Sequence, residues 1–112
     1  MRVDETRLTA AYMLASRTHG TLYLGSALDL IQRMSEHRSG AGSRFVAKYG
    51  VIRLVWFEPF MLVTEARDRE YGMKKWRRDW KINLIERENP DWDDLYLGLI
   101  GGTPVRSRWR PG

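Results

Sequence analysis

The stretch Ala11-Tyr12-Met13-Leu14-Ala15-Ser16-Arg17-Thr18-His19-Gly20-Thr21-Leu22-Tyr23-Leu24-Gly25 decides the fold. Two short runs suited to strands, Ala11 to Ser16 and Thr21 to Leu24, flank the polar, glycine-containing segment Arg17 to Gly20, which is the pattern of a β-hairpin. A loop made of those residues pairs Ser16 with Thr21 and Leu14 with Tyr23, so Tyr12 and Tyr23 fall on one face as diagonal neighbours. Gly25 is expected to end the second strand. Ser26, with Asp29 three residues on, then reads as a capping box opening a helix through about Arg38, with Ala27, Leu30, Ile31 and Met34 on its core face. On that helix Arg33 and His37 are one turn apart beside Leu30, at the border of the apolar stripe, where they can reach the rim of the sheet.

Further out, Ser39-Gly40-Ala41-Gly42-Ser43 reads as a flexible loop. Val51 to Glu58 is a nearly continuous apolar run suited to a central strand and stopped by Pro59. Thr64 is the expected cap of a second long helix, with Glu65 in its first turn and Ala66, Met73 and Trp80 on one face. Glu70 falls inside that face. Gly72 weakens the helix by roughly 0.5–1 kcal/mol relative to alanine and allows a bend or break. Helix continues or restarts through Trp80 to Glu88, and Asn89-Pro90-Asp91 then breaks it and caps a last short helix from Trp92 to about Leu97. The reading is an extension over residues 1–10, a domain over 11–98 and a disordered basic tail over 99–112.

The chain has 112 residues, 43% of them hydrophobic, enough for one compact domain and not for two. Without cysteine, disulfides, thiolate metal sites and cysteine nucleophiles are excluded. Neither a signal peptide nor a membrane-length apolar run is visible, so a soluble, cytoplasmic protein with no membrane partner is expected. The formal charge of +5 favours polyanions. Much of the excess sits between Arg67 and Lys81, in Arg67, Arg69, Lys74, Lys75, Arg77, Arg78 and Lys81, interleaved with Tyr71, Trp76 and Trp80. Cations among aromatics suit phosphate neutralisation and base stacking. The same pattern also describes a helix whose tryptophans are core and whose charges are solvated, and Trp76, Trp80 and Trp92 are read as core.

Together these residues resemble the GIY-YIG nuclease superfamily. Ala11-Tyr12-Met13 stands where the first motif would be and Tyr23-Leu24-Gly25 where the second would be. The resemblance continues through Arg33, His37, the glycine-rich loop, the strand Leu54 to Glu58, Glu70, and the segments Trp76-Arg77-Arg78-Asp79-Trp80-Lys81 and Asn89-Pro90-Asp91-Trp92. That order is similar to the short, single-domain branch related to the amino-terminal domain of the excinuclease C subunit. It implies an α+β fold, a small three-stranded antiparallel sheet flanked by helices. The first motif keeps only its tyrosine. The family's asparagine after the metal-binding glutamate has two candidates here, Asn83 by separation and Asn89 by local motif.

The resemblance implies a DNA endonuclease, with DNA repair as its setting. Glu70 would hold one Mg²⁺ or Mn²⁺, with water and substrate phosphate completing the shell. Arg33 would clamp the phosphate, Tyr12 would help deprotonate the attacking water with assistance from His37, and Tyr23 would complete the network, with the two tyrosines interchangeable. Arg38, Lys48, Lys74, Lys75, Arg77, Arg78 and Lys81 would bind the DNA backbone. Each assignment has a plainer counterpart. Strand tyrosines usually pack, Arg33 and His37 with Glu36 could be a solvated face, and Glu70 could pair with Arg67 or Lys74 one turn away. A non-catalytic nucleic-acid-binding module on the same fold is the alternative function. A module for an acidic protein partner is supported by charge alone.

Overall fold

The computed structural model describes residues 7–40 and 44–101. The hairpin forms β1 (Ala10–Ala15) and β2 (Leu22–Ala27). Its loop is closed by Ser16 N donating to Thr21 O at 3.0 Å and by Thr21 N donating to Ser16 Oγ at 3.0 Å. Leu14 lies opposite Tyr23 and Tyr12 opposite Gly25, the register expected from the loop length. Gly25 does not end β2, because β1 starts at Ala10 and the ladder runs on to the pair Ala10 and Ala27. Ser26 is therefore a strand residue and not a cap. Asp29 caps α1 (Leu30–Ser39) by accepting from Gln32 N at 3.4 Å, and Gly40, at φ 83°, closes its other end.

A helix absent from the sequence reading, α2 (Arg44–Tyr49), follows the glycine-rich loop, with Val46 as its buried residue. Residues 41–43 of that loop, like residues 1–6 and 102–112, to which most of the tail reading refers, lie outside the described residues. β3 (Arg53–Pro59) pairs antiparallel with β1, with a register shift at Met13/Leu14, so the sheet has the order β2-β1-β3. Central β1 is buried along its whole length. One face, through Tyr12, Leu14 and Leu54, packs on Leu30 and Met34 of α1 and on Val46. The other, through Met13, Val55 and Trp56, packs on Met73, Ile85 and Trp92.

α3 (Val63–Lys74) starts from Leu62, with no side-chain cap, so Thr64 sits inside the helix and does not cap it. The helix stops soon after Gly72 and α4 (Arg78–Glu88) restarts beyond Arg77. That break undoes the periodicity linking Met73 to Trp80. Met73 is buried, whereas Trp80 is 48% exposed and is not a core residue. Asn89 ends α4, and the last helix, α5 (Tyr96–Leu99), begins later than Trp92, which is itself buried. Among the described residues no helix is long and apolar enough to cross a membrane.

Candidate active site

Alternation along β1 and β2 turns Tyr12 and Tyr23 toward α1, with ring centroids 6.3 Å apart. Gly25, opposite Tyr12, makes this possible, since a Cβ there would stand 2.8 Å from the Tyr12 hydroxyl. From α1, His37 brings Nε2 to 3.1 Å from the Tyr12 hydroxyl and its ring edge-on to Tyr23 at 5.7 Å. Arg33, one turn earlier, brings its guanidinium to the same hydroxyl and also pairs with Glu36 through Nε at 3.3 Å.

Burial governs the chemistry of this pair. Tyr12 is 0% exposed, and its phenol is pushed well above the ordinary value by desolvation, then by Tyr23, against the opposing pull of Arg33. His37 is 3% exposed, and burial, then Arg33, lower its pKa against the pull of Glu36, so the ring is neutral near pH 7. A neutral imidazole has one donor and one acceptor nitrogen. If Nε2 accepts from the phenol, the proton sits on Nδ1, a buried atom with no hydrogen-bond partner.

Glu70 comes from the other side. α3 packs across β2 and β1, with Met73 in the opposite core, yet the Glu70 carboxylate meets the edge strand β2. Ser26 Oγ donates to its Oε1 at 2.5 Å and Lys74 Nζ approaches its Oε2 at 2.7 Å. Its side chain is 16% exposed. Glu70 is near enough to oppose ionisation of Tyr12, and Tyr23 near enough to favour the charged form of Lys74, so the two sides are in electrostatic reach of each other. A sequence reading that makes Ser26 a cap misses this residue; extending the strand alternation past Gly25 places it on the face opposite Tyr23.

The asparagines do not join the cluster in the same way. Asn89 is spent on the backbone, its Nδ2 donating to Val55 O and Asp93 O and its Oδ1 accepting from Asp93 N. That is a turn-forming role, and it argues against Asn89 as site support. Asn83 is exposed on α4. Of the expected DNA-binding cations, Arg38 is taken up by an ion pair with Asp94 and by the Tyr96 ring, and Arg78 by the carbonyls of His19 and Gly20. Arg77 stacks on Trp80 and lies 3.5 Å from Asp79. Lys48 and Lys75 are exposed and Lys81 is half-buried.

A family model described as the GIY-YIG catalytic domain matches residues 9–83. A UPF0213 protein of Clostridium perfringens is 36% identical over 69 residues, covering 62% of this chain and 74% of that one. A UPF0213 protein of Staphylococcus saprophyticus is 36% identical over 66 residues, covering 59% and 80%. Among solved structures, the solution NMR structure of a UPF0213 protein from Bacillus halodurans is 26% identical, covers 85% of this chain and 98% of that one, and has a TM-score of 0.49. The matched segment runs from β1 into α4 and takes in both tyrosines, Arg33, His37 and Glu70, and on that match the chain belongs to the GIY-YIG family, alongside the small UPF0213 proteins.

Proposed function

We propose that this chain is an endonuclease that hydrolyses DNA phosphodiester bonds with one divalent cation, Mg²⁺ or Mn²⁺, as its cofactor. The observation that carries the reading is the convergence of Arg33 and His37 on the Tyr12 hydroxyl, with the Tyr23 ring against Tyr12 and His37 and the Glu70 carboxylate in electrostatic reach. The donor set suits such a cation. Among the described residues no group of three or more His, Cys, Asp or Glu comes together, which fits an ion that takes one carboxylate and keeps water and phosphate as its other ligands. Glu70 would hold it. Lys74, whose own side chain is exposed, now faces that carboxylate as an i,i+4 ion pair that a divalent ion would have to displace.

When bound, the cation neutralises charge on the phosphoryl and leaving oxygens. Arg33 adds positive charge beside the reacting phosphate. The attacking water gives its proton to the Tyr12 oxygen as the Tyr12 hydroxyl proton passes to neutral His37 Nε2, a transfer that needs no free phenolate. Tyr12 is closed to solvent, so this step requires its hydroxyl to be uncovered when substrate binds. Ser26 steadies Glu70 from β2.

The test is incubation of the protein with labelled single-stranded, duplex and flap DNA in Mg²⁺, Mn²⁺ or EDTA. Glu70→Ala should abolish cleavage and spare most of the affinity, which comes from phosphate contacts. A Glu70→Ala protein that cuts at the wild-type rate would end the proposal. The Lys74–Glu70 ion pair is the observation that favours the second reading, a binding module; that reading predicts DNA binding with no cleavage under any metal.

A further inference from the structure

Glu70 presents two carboxylate oxygens, and both are engaged. Ser26 Oγ donates to Oε1 at 2.5 Å, and Lys74 Nζ lies 2.7 Å from Oε2. The two partners are not held alike. Ser26 is a residue of the β-ladder, opposite Ala11, so its hydroxyl is placed by the strand. Lys74 is the last residue of α3, its side chain is 51% exposed, and its flexible stem lets the ammonium leave without disturbing the backbone. The Glu70 side chain is largely shielded from water, and a shielded carboxylate needs a counter-charge. Lys74 also lies within electrostatic reach of Tyr23, so its ammonium borders the tyrosine side of the site.

A divalent ion at Glu70 would share Oε2 with that ammonium, a double positive charge beside a single one on one carboxylate. Such a pair is repulsive until an anion comes between the two cations. The substrate phosphate is that anion, able to complete the ion's shell on one side and to accept a charged hydrogen bond from lysine on the other. We propose that Lys74 is the resident counter-ion of the metal site, displaced from Glu70 when the ion binds and taken up by the phosphate that enters with it, so that cation and DNA load together. This rests on the nuclease reading and adds to it a contact to the substrate phosphate. In the metal-free protein Lys74 neutralises Glu70 and spares DNA the repulsion of an open carboxylate. In the loaded site the same ammonium holds the phosphate. The plainer account, a helix-stabilising i,i+4 pair, gives Lys74 no bearing on the ion beyond supporting the fold.

The experiment follows Mn²⁺ binding without DNA, by the electron paramagnetic resonance signal of the free ion, in the wild type, Lys74→Met, Lys74→Arg and Glu70→Ala. Lys74→Met keeps the stem and removes the charge. It should bind Mn²⁺ roughly ten-fold tighter, the repulsion of a double and a single charge a few ångströms apart at high dielectric. Lys74→Arg should stay near the wild type, and Glu70→Ala should lose the site. A helix-stabilising role predicts that Lys74→Met melts lower and binds Mn²⁺ no tighter, and that result overturns the exchange, as does no detectable binding in Lys74→Met. The titration is repeated with a saturating short single strand, corrected for the Mn²⁺ that the strand holds alone. Tyr12→Phe is present in every protein here so that the strand stays intact, as checked on a gel. DNA should raise the Mn²⁺ affinity of the wild-type Lys74 protein by a larger factor than that of Lys74→Met, and Mn²⁺ should raise DNA affinity by the same factors, since such coupling is reciprocal. Equal factors in the two proteins overturn the transfer of Lys74 to the phosphate. Mn²⁺ bound equally by the wild type and Glu70→Ala removes the metal site and the exchange with it. Cleavage is scored separately in Mg²⁺. A protein that shows the exchange but never cuts loses the nuclease reading alone, and one that cuts while Lys74→Met binds Mn²⁺ as the wild type does loses the exchange alone.

Discussion

The Tyr12 hydroxyl sits under Gly25 and against His37 Nε2, and its burial disfavours the phenolate. On the proposed mechanism a lone tyrosine base would be inactive at neutral pH, and the neutral imidazole would take up the proton. Tyr12→Phe keeps the ring and its packing and should lower the single-turnover cleavage rate by on the order of 10²–10⁴. Tyr23→Phe should cost less, since Tyr23 meets His37 edge-on through its ring. The pH profile provides an independent check. The lowered pKa of His37 keeps the ring free to accept a proton at neutral pH, so the rate should hold there and fall on the acid side, below the ordinary histidine value of about 6.5. A wild-type rate in Tyr12→Phe moves the role to Tyr23.

β2 is the element on which the site turns. As the edge strand it carries Tyr23 toward α1 on one face and Ser26 toward Glu70 on the other, so one strand positions groups on both sides of the sheet. Its closeness to β1 depends on Gly25. In Gly25→Ala the new Cβ would meet the Tyr12 ring and hydroxyl at 2.8 Å, and that ring is too enclosed to yield. The substitution should cost about 1–3 kcal/mol of stability, read as a lowered midpoint in urea or thermal melts. It should also reduce cleavage beyond what the lower stability explains, because the hydroxyl is pushed off His37. An unchanged melt would mean that the strand can shift away from β1. α1 is set differently, by the Asp29 cap at its start and Gly40 at its end, which orient Arg33 and His37 over the same face.

Across the whole molecule the +5 charge acts through those cations that remain open. Arg38 and Arg78 are committed within the fold, so Arg38→Ala should leave the salt dependence of DNA binding unchanged and lower the melting temperature. Lys48→Ala and Lys75→Ala, both at exposed positions, should each flatten the slope of log K against log salt by about 0.7 on single strands for each phosphate no longer neutralised. Salt titrations of the variants decide this. A slope unchanged in both would place the DNA track elsewhere on the surface.

Local pattern determined the hairpin, its register and the shared face of the two tyrosines, because a loop of given length sets strand pairing and alternation sets the faces. It determined that Arg33 and His37 border one stripe of α1, and that Glu70 lies within the apolar face of α3. Only the tertiary structure decided the rest. The length of β2 depended on the ladder that β1 offers beyond Gly25, which turned Ser26 from a cap into the partner of Glu70. α2 carries a single buried residue, too few for an apolar period to show. Whether Asn89, Arg38 and Arg78 are free for substrate is set by partners 4 to 59 positions away in the chain. Such pairings form only when the sheet is assembled, since the energy that selects them comes from burying groups that are neighbours in space and not in sequence.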